Sequence, residues 1–168
     1  TKLITINFMS INKMNSIYKY FVLIYLVISV HSYASVTIEE IQPIKFPSII
    51  KNQNRSTIVL VNWKGNIGKA TNSDLFDFVY HEGRYKVYSN TERPIVITVT
   101  SINNSPGIKL KSFKVRYKNK TYKSFPTAAL VNPGSKGIVI KIGAKMVANK
   151  NTTAGSKQPQ YLIQIDEQ

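Results

Sequence analysis

Apolar and polar residues alternate along most of the chain after residue 35. The clearest alternating runs are "STIVLVNW", "RPIVITVTSI", "GIVIKIGAKMVA" and "YLIQIDE". A period of two residues is the signature of β-strands, and no part of this region has a helical period. The pattern predicts an all-β fold of seven to nine short strands. We expect an antiparallel β-sandwich with Greek-key or pilin-like connections.

One alternating run places several aromatic residues together. In "LFDFVYHEGRYKVYS", a strand would put Phe76, Phe78 and Tyr80 on one face. Glu82-Gly83 then reads as a turn, followed by a returning strand over Tyr85–Tyr88. The sequence therefore predicts a hairpin in this region.

The residues before the alternating region have a different pattern. Tyr20–Val30 carries no charge and is mostly apolar, Lys13 and Lys19 precede it, and small residues follow. These features predict a signal peptide over residues 14–34 that is cleaved between Ala34 and Ser35. Two alternatives remain open, a buried core helix and a retained membrane anchor, although a bilayer span needs about 20 apolar residues.

The predicted signal peptide, or leader, determines the expected domain organisation and compartment. Residues 1–13 are expected to be a non-native upstream extension, and residues 35–168 a single domain large enough to bury a core. We expect an exported protein of the periplasm, the cell surface or the extracellular space, which meets the membrane only transiently through its leader. The absence of cysteine is typical of bacterial envelope domains.

The charge of the chain limits the classes of partner that it is expected to bind. It has 23 Lys and Arg residues, 8 Asp and Glu residues and a formal net charge of +15. Such a charge favours anionic partners such as lipopolysaccharide or acidic polysaccharide, and export excludes nucleic acid. AT-rich codon usage would also produce Lys and Asn, so part of the charge is explained without a function.

The basic residues are concentrated in "KLKSFKVRYKNKTYKSF", which contains no carboxylate. This stretch predicts a polyanion-binding site. Its candidate residues are Lys109, Lys111, Lys114, Arg116, Lys118, Lys120 and Lys123. The alternative is a solvated strand face whose charge prevents aggregation between sheet edges.

The alternation within this stretch assigns its two faces. Phe113 and Tyr117 share the apolar face with Val115, and the cations between them lie on the other face. The phase breaks near Ser112, because Lys109 and Lys111 would otherwise fall on the apolar side. The break predicts a bend or a bulge at Ser112.

The sequence offers little for catalysis. After the leader it has one histidine, His81, no cysteine and no recognisable nucleophile motif. Asp77 and His81 are candidate ligands that could share a strand face and bind a metal ion weakly. An ordinary strand surface explains these two residues as well. "KGNIGK" is similar to a phosphate-binding loop, but it lacks a following helix pattern and fits a glycine-rich hairpin loop. We expect a protein that is not an enzyme and uses no metal or cofactor.

The segment "LVNPGSKGIVIKIGAKMVANKNTTAGSKQPQYLIQI" resembles the ending of a bacterial exported family that is catalogued as a domain of unknown function and is pilin-like in style. The resemblance is carried by Gly137, Gly143-Ala144, Ala154-Gly155 and Tyr161 between alternating strands. Pro47 departs from the family pattern, which has glycine there. The resemblance implies an exported β-sandwich and a fimbrial or surface subunit, and it implies no catalytic residue.

Three functions follow as hypotheses. The first is a structural or adhesive surface protein, for example a fimbrial subunit that assembles with strand-exchange partners through "SVTIEEI". The second is a secreted or periplasmic module that binds acidic polymers through a basic strand face. The third is a toxin-like or enzymatic secreted factor, which the lack of a catalytic constellation disfavours.

Overall fold

The structure, a computed structural model, describes residues 36–103 and 105–168. It is all-β, as the alternation predicts, and the strands pair antiparallel. The predicted upstream extension (residues 1–13), signal peptide (14–34) and cleavage at Ala34-Ser35 lie outside the described residues. No helix in the described part is long and apolar enough to cross a membrane.

The described residues contain ten strands, one more than the upper limit of the prediction. Three of the ten are only three residues long. They are β1 Val36–Gln42, β2 Ile49–Lys51, β3 Thr57–Val61, β4 Ser73–Leu75, β5 Gly83–Ser89, β6 Ile95–Ile102, β7 Ile108–Tyr117, β8 Lys120–Tyr122, β9 Ile138–Ala148 and β10 Gln160–Glu167.

The strands form one large sheet and two small ones. The large sheet has the order β1-β5-β9-β7-β8, and β3 pairs with the second half of β9 beside β5. β6 and β10 form a two-stranded sheet, and β2 and β4 form another. At 11 residues, β9 is the longest strand and pairs with β5, β3 and β7.

The core lies between the large sheet and the β6–β10 pair, so the arrangement is an open sandwich. β6 buries Ile95, Ile97 and Val99, and β9 buries Ile140 and Ile142 opposite them in the same cluster. Both sets alternate with less buried residues, as the sequence pattern predicts. Burial of such side chains contributes about 1.5–3 kcal/mol each and is the main source of stability.

A bulge interrupts the pairing of β7 with β9 between Lys111 and Lys114. Ser112 lies at the break and has a φ of 51°, in the left-handed region. The predicted irregularity is therefore confirmed. Phe113 remains buried, while the residues on both sides of the bulge keep their charged side chains on the outer face.

The prediction for Phe76, Phe78 and Tyr80 is wrong. β4 ends at Leu75, and residues 76–80 form no strand. Phe76 and Phe78 are 75% and 76% exposed. The Asp77 carboxylate folds back and accepts hydrogen bonds from the backbone N–H groups of Ser48 and Val79, so the chain turns here instead of extending into a hairpin strand.

Candidate anion-binding face

The outer surface of the large sheet carries cations on three adjacent strands. Because directly opposed residues of an antiparallel pair share a face, the register places Arg84 of β5, Lys141 of β9 and Arg116 of β7 in one row across the sheet. Adjacent strands lie about 4.8 Å apart, so this row spans about 10 Å. A second row joins Lys111 of β7 to Lys145 of β9.

We call this surface the basic face. Its members are Arg84, Lys86, Lys109, Lys111, Lys114, Arg116, Lys141 and Lys145.

The bulge at Ser112 decides how many β7 cations reach the basic face. Without the extra residue, Lys109 and Lys111 would point into the core when Lys114 and Arg116 point outward. With it, Lys109 and Lys111 are exposed and Lys114 and Arg116 are half-buried on the same side. The cations of β7 therefore extend over about 20 Å of one strand, at about 3.4 Å per residue.

The other three predicted site residues are placed differently. Lys118 lies in the turn after β7, with a φ of 50° and its ammonium 5.8 Å from the centre of the Tyr117 ring. Lys120 pairs with Tyr117, whose ring is buried, so Lys120 belongs to the opposite side of the sheet. Lys123 follows the end of β8 and is exposed. We therefore leave these three lysines out of the basic face.

Trp63 holds Arg116 in place on the basic face. The Arg116 guanidinium carbon lies 5.0 Å from the centre of the Trp63 ring, and the Lys64 ammonium lies 5.5 Å from it. Both distances suit cation–π interactions. The guanidinium also donates to the Thr121 hydroxyl at 3.4 Å.

Gly143 explains how Trp63 reaches the sheet. A Cβ atom at this position would lie 2.5 Å from the backbone of Asn62 and Trp63. The Asn62-Trp63 segment, which leads into the "KGNIGK" loop, therefore rests directly on β9. Asn62 Oδ1 accepts from the backbone of Lys64 and Asn66, which makes the loop a tight hairpin turn. No helix follows it in the described chain, so the hairpin interpretation is confirmed.

Few carboxylates oppose these cations. Glu82 pairs with Lys141 at 3.6 Å, and their side chains are 12% and 39% exposed. Glu39 lies opposite Lys86 in the register and accepts a hydrogen bond from the Tyr88 hydroxyl. Opposed pairs such as Lys111 and Lys145 have backbones about 5 Å apart, within a Debye length of about 8 Å, so the fields of such neighbouring cations add at the surface.

The strand that would place the candidate metal pair, Asp77 and His81, on one face does not form, since residues 76–80 are not in a strand. Asp77 is bonded to backbone N–H groups, and hydrogen bonds from Ser48 and Val79 lower its pKa from the ordinary value. His81 Nδ1 lies 3.3 Å from the carbonyl oxygen of Glu82. Across the described residues, no group of three His, Cys, Asp or Glu side chains is placed to hold a metal ion.

Sequence reasoning missed half of the basic face. Arg84 and Lys86 alternate with buried residues in "GRYKVYS", and Lys141 does so in "IVIKIG", so their orientation was readable. Their position beside β7 was not readable, because it depends on the strand order. Trp63 gave no signal, since it reaches the sheet through a loop.

Comparisons with known proteins add nothing to this geometry, since no family model, no curated protein and no solved structure matches the chain.

Proposed function

We propose that this protein is a non-enzymatic, exported adhesive protein that binds anionic surface polymers through the basic face. The observation that carries the proposal is the gathering of cations from β5, β7 and β9 on one side of a rigid sheet. The ligand class is an acidic polysaccharide or lipopolysaccharide, whose repeated negative charges match cations that are spread over about 10 by 20 Å on both sides of the Asn62-Trp63 segment.

The rigidity of the site supports binding of an extended polymer. Arg116 is held by Trp63 and Thr121, and Lys141 is held by Glu82. Positions fixed before binding lose less conformational entropy when a ligand arrives. Lys109 and Lys111 remain exposed at the other end, where a polymer meets no carboxylate from their own strand.

The test uses a triple variant with Lys109, Lys111 and Lys114 replaced by Gln. We expect weaker retention on heparin and on immobilised lipopolysaccharide, with the melting temperature nearly unchanged, because solvent-face substitutions usually cost within about 0.5 kcal/mol. The matched control replaces Lys120, Lys123 and Lys136, which are exposed and lie outside the basic face, by Gln and removes the same charge. If both variants lose retention equally, net charge alone explains binding and the proposal fails.

A second candidate function is self-assembly by strand addition. β1 pairs with β5 along one edge, and within residues 36–103 and 105–168 no strand pairs with its other edge. β10 likewise pairs only with β6 in this part of the chain, and β1 and β10 contact each other. Exposed strand edges accept an added strand through backbone hydrogen bonds.

Assembly by strand addition predicts concentration-dependent oligomers of residues 35–168. Light scattering after size exclusion should show masses above the monomer, and electrophoresis without boiling should show ladders that resist SDS. A synthetic "SVTIEEI" peptide in excess should compete with assembly, and a scrambled peptide of the same composition should not. A strictly monomeric protein at high concentration would remove this candidate.

A further inference from the structure

A cleft opens between the segment that follows β1 and the ends of β7 and β9. Its volume is about 1370 Å³. Protein interiors leave few voids larger than a water molecule, and pockets for small ligands span about 300–1,000 Å³. The cleft is larger than this range, so it has room for a small-molecule ligand.

The floor of the cleft and part of one wall are apolar. Ile108 of β7 and Met146 and Ala148 of β9 are buried core residues at the floor. Ile44 and Ile49 line one wall, within the segment that connects β1 to β2 and continues into β2. Such walls favour a ligand with a long hydrocarbon part.

The two tyrosine hydroxyl groups in the cleft already bond to each other. Tyr85 Oη and Tyr161 Oη are 2.7 Å apart, and the Ile44 backbone N–H donates to Tyr161 Oη at 3.0 Å. Burial raises the pKa of both tyrosines, so they stay neutral. With these two groups occupied, the apolar floor beside them favours an acyl chain.

The rim of the cleft is positively charged. Lys45, Lys51, Lys150 and Lys157 line it, and Glu40 is the one carboxylate that lines it among the described residues. Lys51 Nζ donates to the carbonyl groups of Asn149 and Lys150 and ties the two walls together. Lysines around an apolar cleft complement an anionic head attached to a hydrocarbon tail.

We propose that this cleft binds an anionic amphiphile, with an acyl chain between the sheets and a carboxylate or phosphate head at the lysine rim. The cleft shares no residue with the basic face. Two sources supply this chemistry, a free fatty acid and an anionic membrane lipid. Phe76 lies beside the mouth, since its N–H donates to Ser48 in the lining, and exposed aromatic residues are typical of membrane contact.

The test measures dodecanoate binding by calorimetry with the described domain. We expect saturable binding by wild type. Ile102→Glu places a carboxylate at the cleft and should weaken binding by tenfold or more. Leu162→Glu is the matched control, because Leu162 is 51% exposed, close to the 41% of Ile102, and does not line the cleft. Melting curves of both variants confirm folding.

A second pair of ligands tests the rim. Lys45→Gln with Lys157→Gln should weaken binding of dodecanoate and leave binding of the neutral dodecanol nearly unchanged. The Lys109, Lys111 and Lys114 triple variant should bind dodecanoate as wild type does. Absence of saturable dodecanoate binding, or equal loss in Ile102→Glu and Leu162→Glu, overturns the proposal.

Phosphatidylglycerol vesicles distinguish the sources. Co-sedimentation of wild type that Ile102→Glu abolishes identifies a bilayer lipid as the ligand. Dodecanoate binding without co-sedimentation identifies a free fatty acid.

Discussion

At the scale of single residues, side-chain hydrogen bonds hold the chain in place where the alternation of apolar and polar residues ends. The Glu167 carboxylate accepts from the Ser89 and Thr91 hydroxyls at 2.6 and 2.7 Å and ties the end of β10 to the end of β5. These bonds lower the pKa of Glu167 from its ordinary value. A depressed pKa in the folded state means that the ionised carboxylate stabilises the fold, and that this stabilisation is lost as pH falls through the depressed pKa.

We therefore expect Glu167→Gln to lower the melting temperature at pH 7 and to lower it much less well below the ordinary carboxyl pKa of about 4.3. Glu92→Gln is the control. Glu92 is exposed and directly follows Thr91 in the chain, and its substitution removes the same charge. Thermal melting at the two pH values checks this prediction. An equal loss at both values would show that the ionised form has no special role.

At the scale of elements, the bulge in β7 sets the composition of the basic face. Ser112 has a left-handed backbone, which glycine adopts at little cost and a β-branched residue resists. We expect Ser112→Gly to leave the free energy of unfolding unchanged or raise it by up to about 1 kcal/mol. Ser112→Val should lower it by about 1–3 kcal/mol. Urea unfolding measures both, and a stable Val variant would contradict the assigned conformation.

Local sequence patterns predict individual strands and the bulge well. They predict poorly which parts of the chain lie next to one another. The strands β6, β9 and β10 were predictable because buried and exposed residues alternate along them, and the break at Ser112 was predictable from its phase. Phe76 and Phe78 misled the prediction, because they alternate as a strand would. The turn there depends on Asp77 bonding to Ser48, which is far away in sequence.

At the scale of the whole molecule, both candidate sites come from strand order. The basic face needs β5, β9 and β7 side by side, and the cleft needs the ends of β7 and β9 to face the segment after β1. These neighbouring strands and segments are distant along the chain, so no local sequence pattern predicts that they lie side by side. Only the β7 part of the basic face was accessible from sequence.

The central claim is that the basic face, and not the net charge alone, binds anionic polymers. The most direct measurement is the affinity for heparin as a function of salt for wild type and the two triple Gln variants. We predict that affinity falls with salt for wild type, because exposed charges are screened beyond about 8 Å at physiological ionic strength. The Lys109, Lys111 and Lys114 variant should lose affinity and have a shallower salt dependence, while the Lys120, Lys123 and Lys136 variant stays close to wild type. Parallel curves for the two variants would contradict the account.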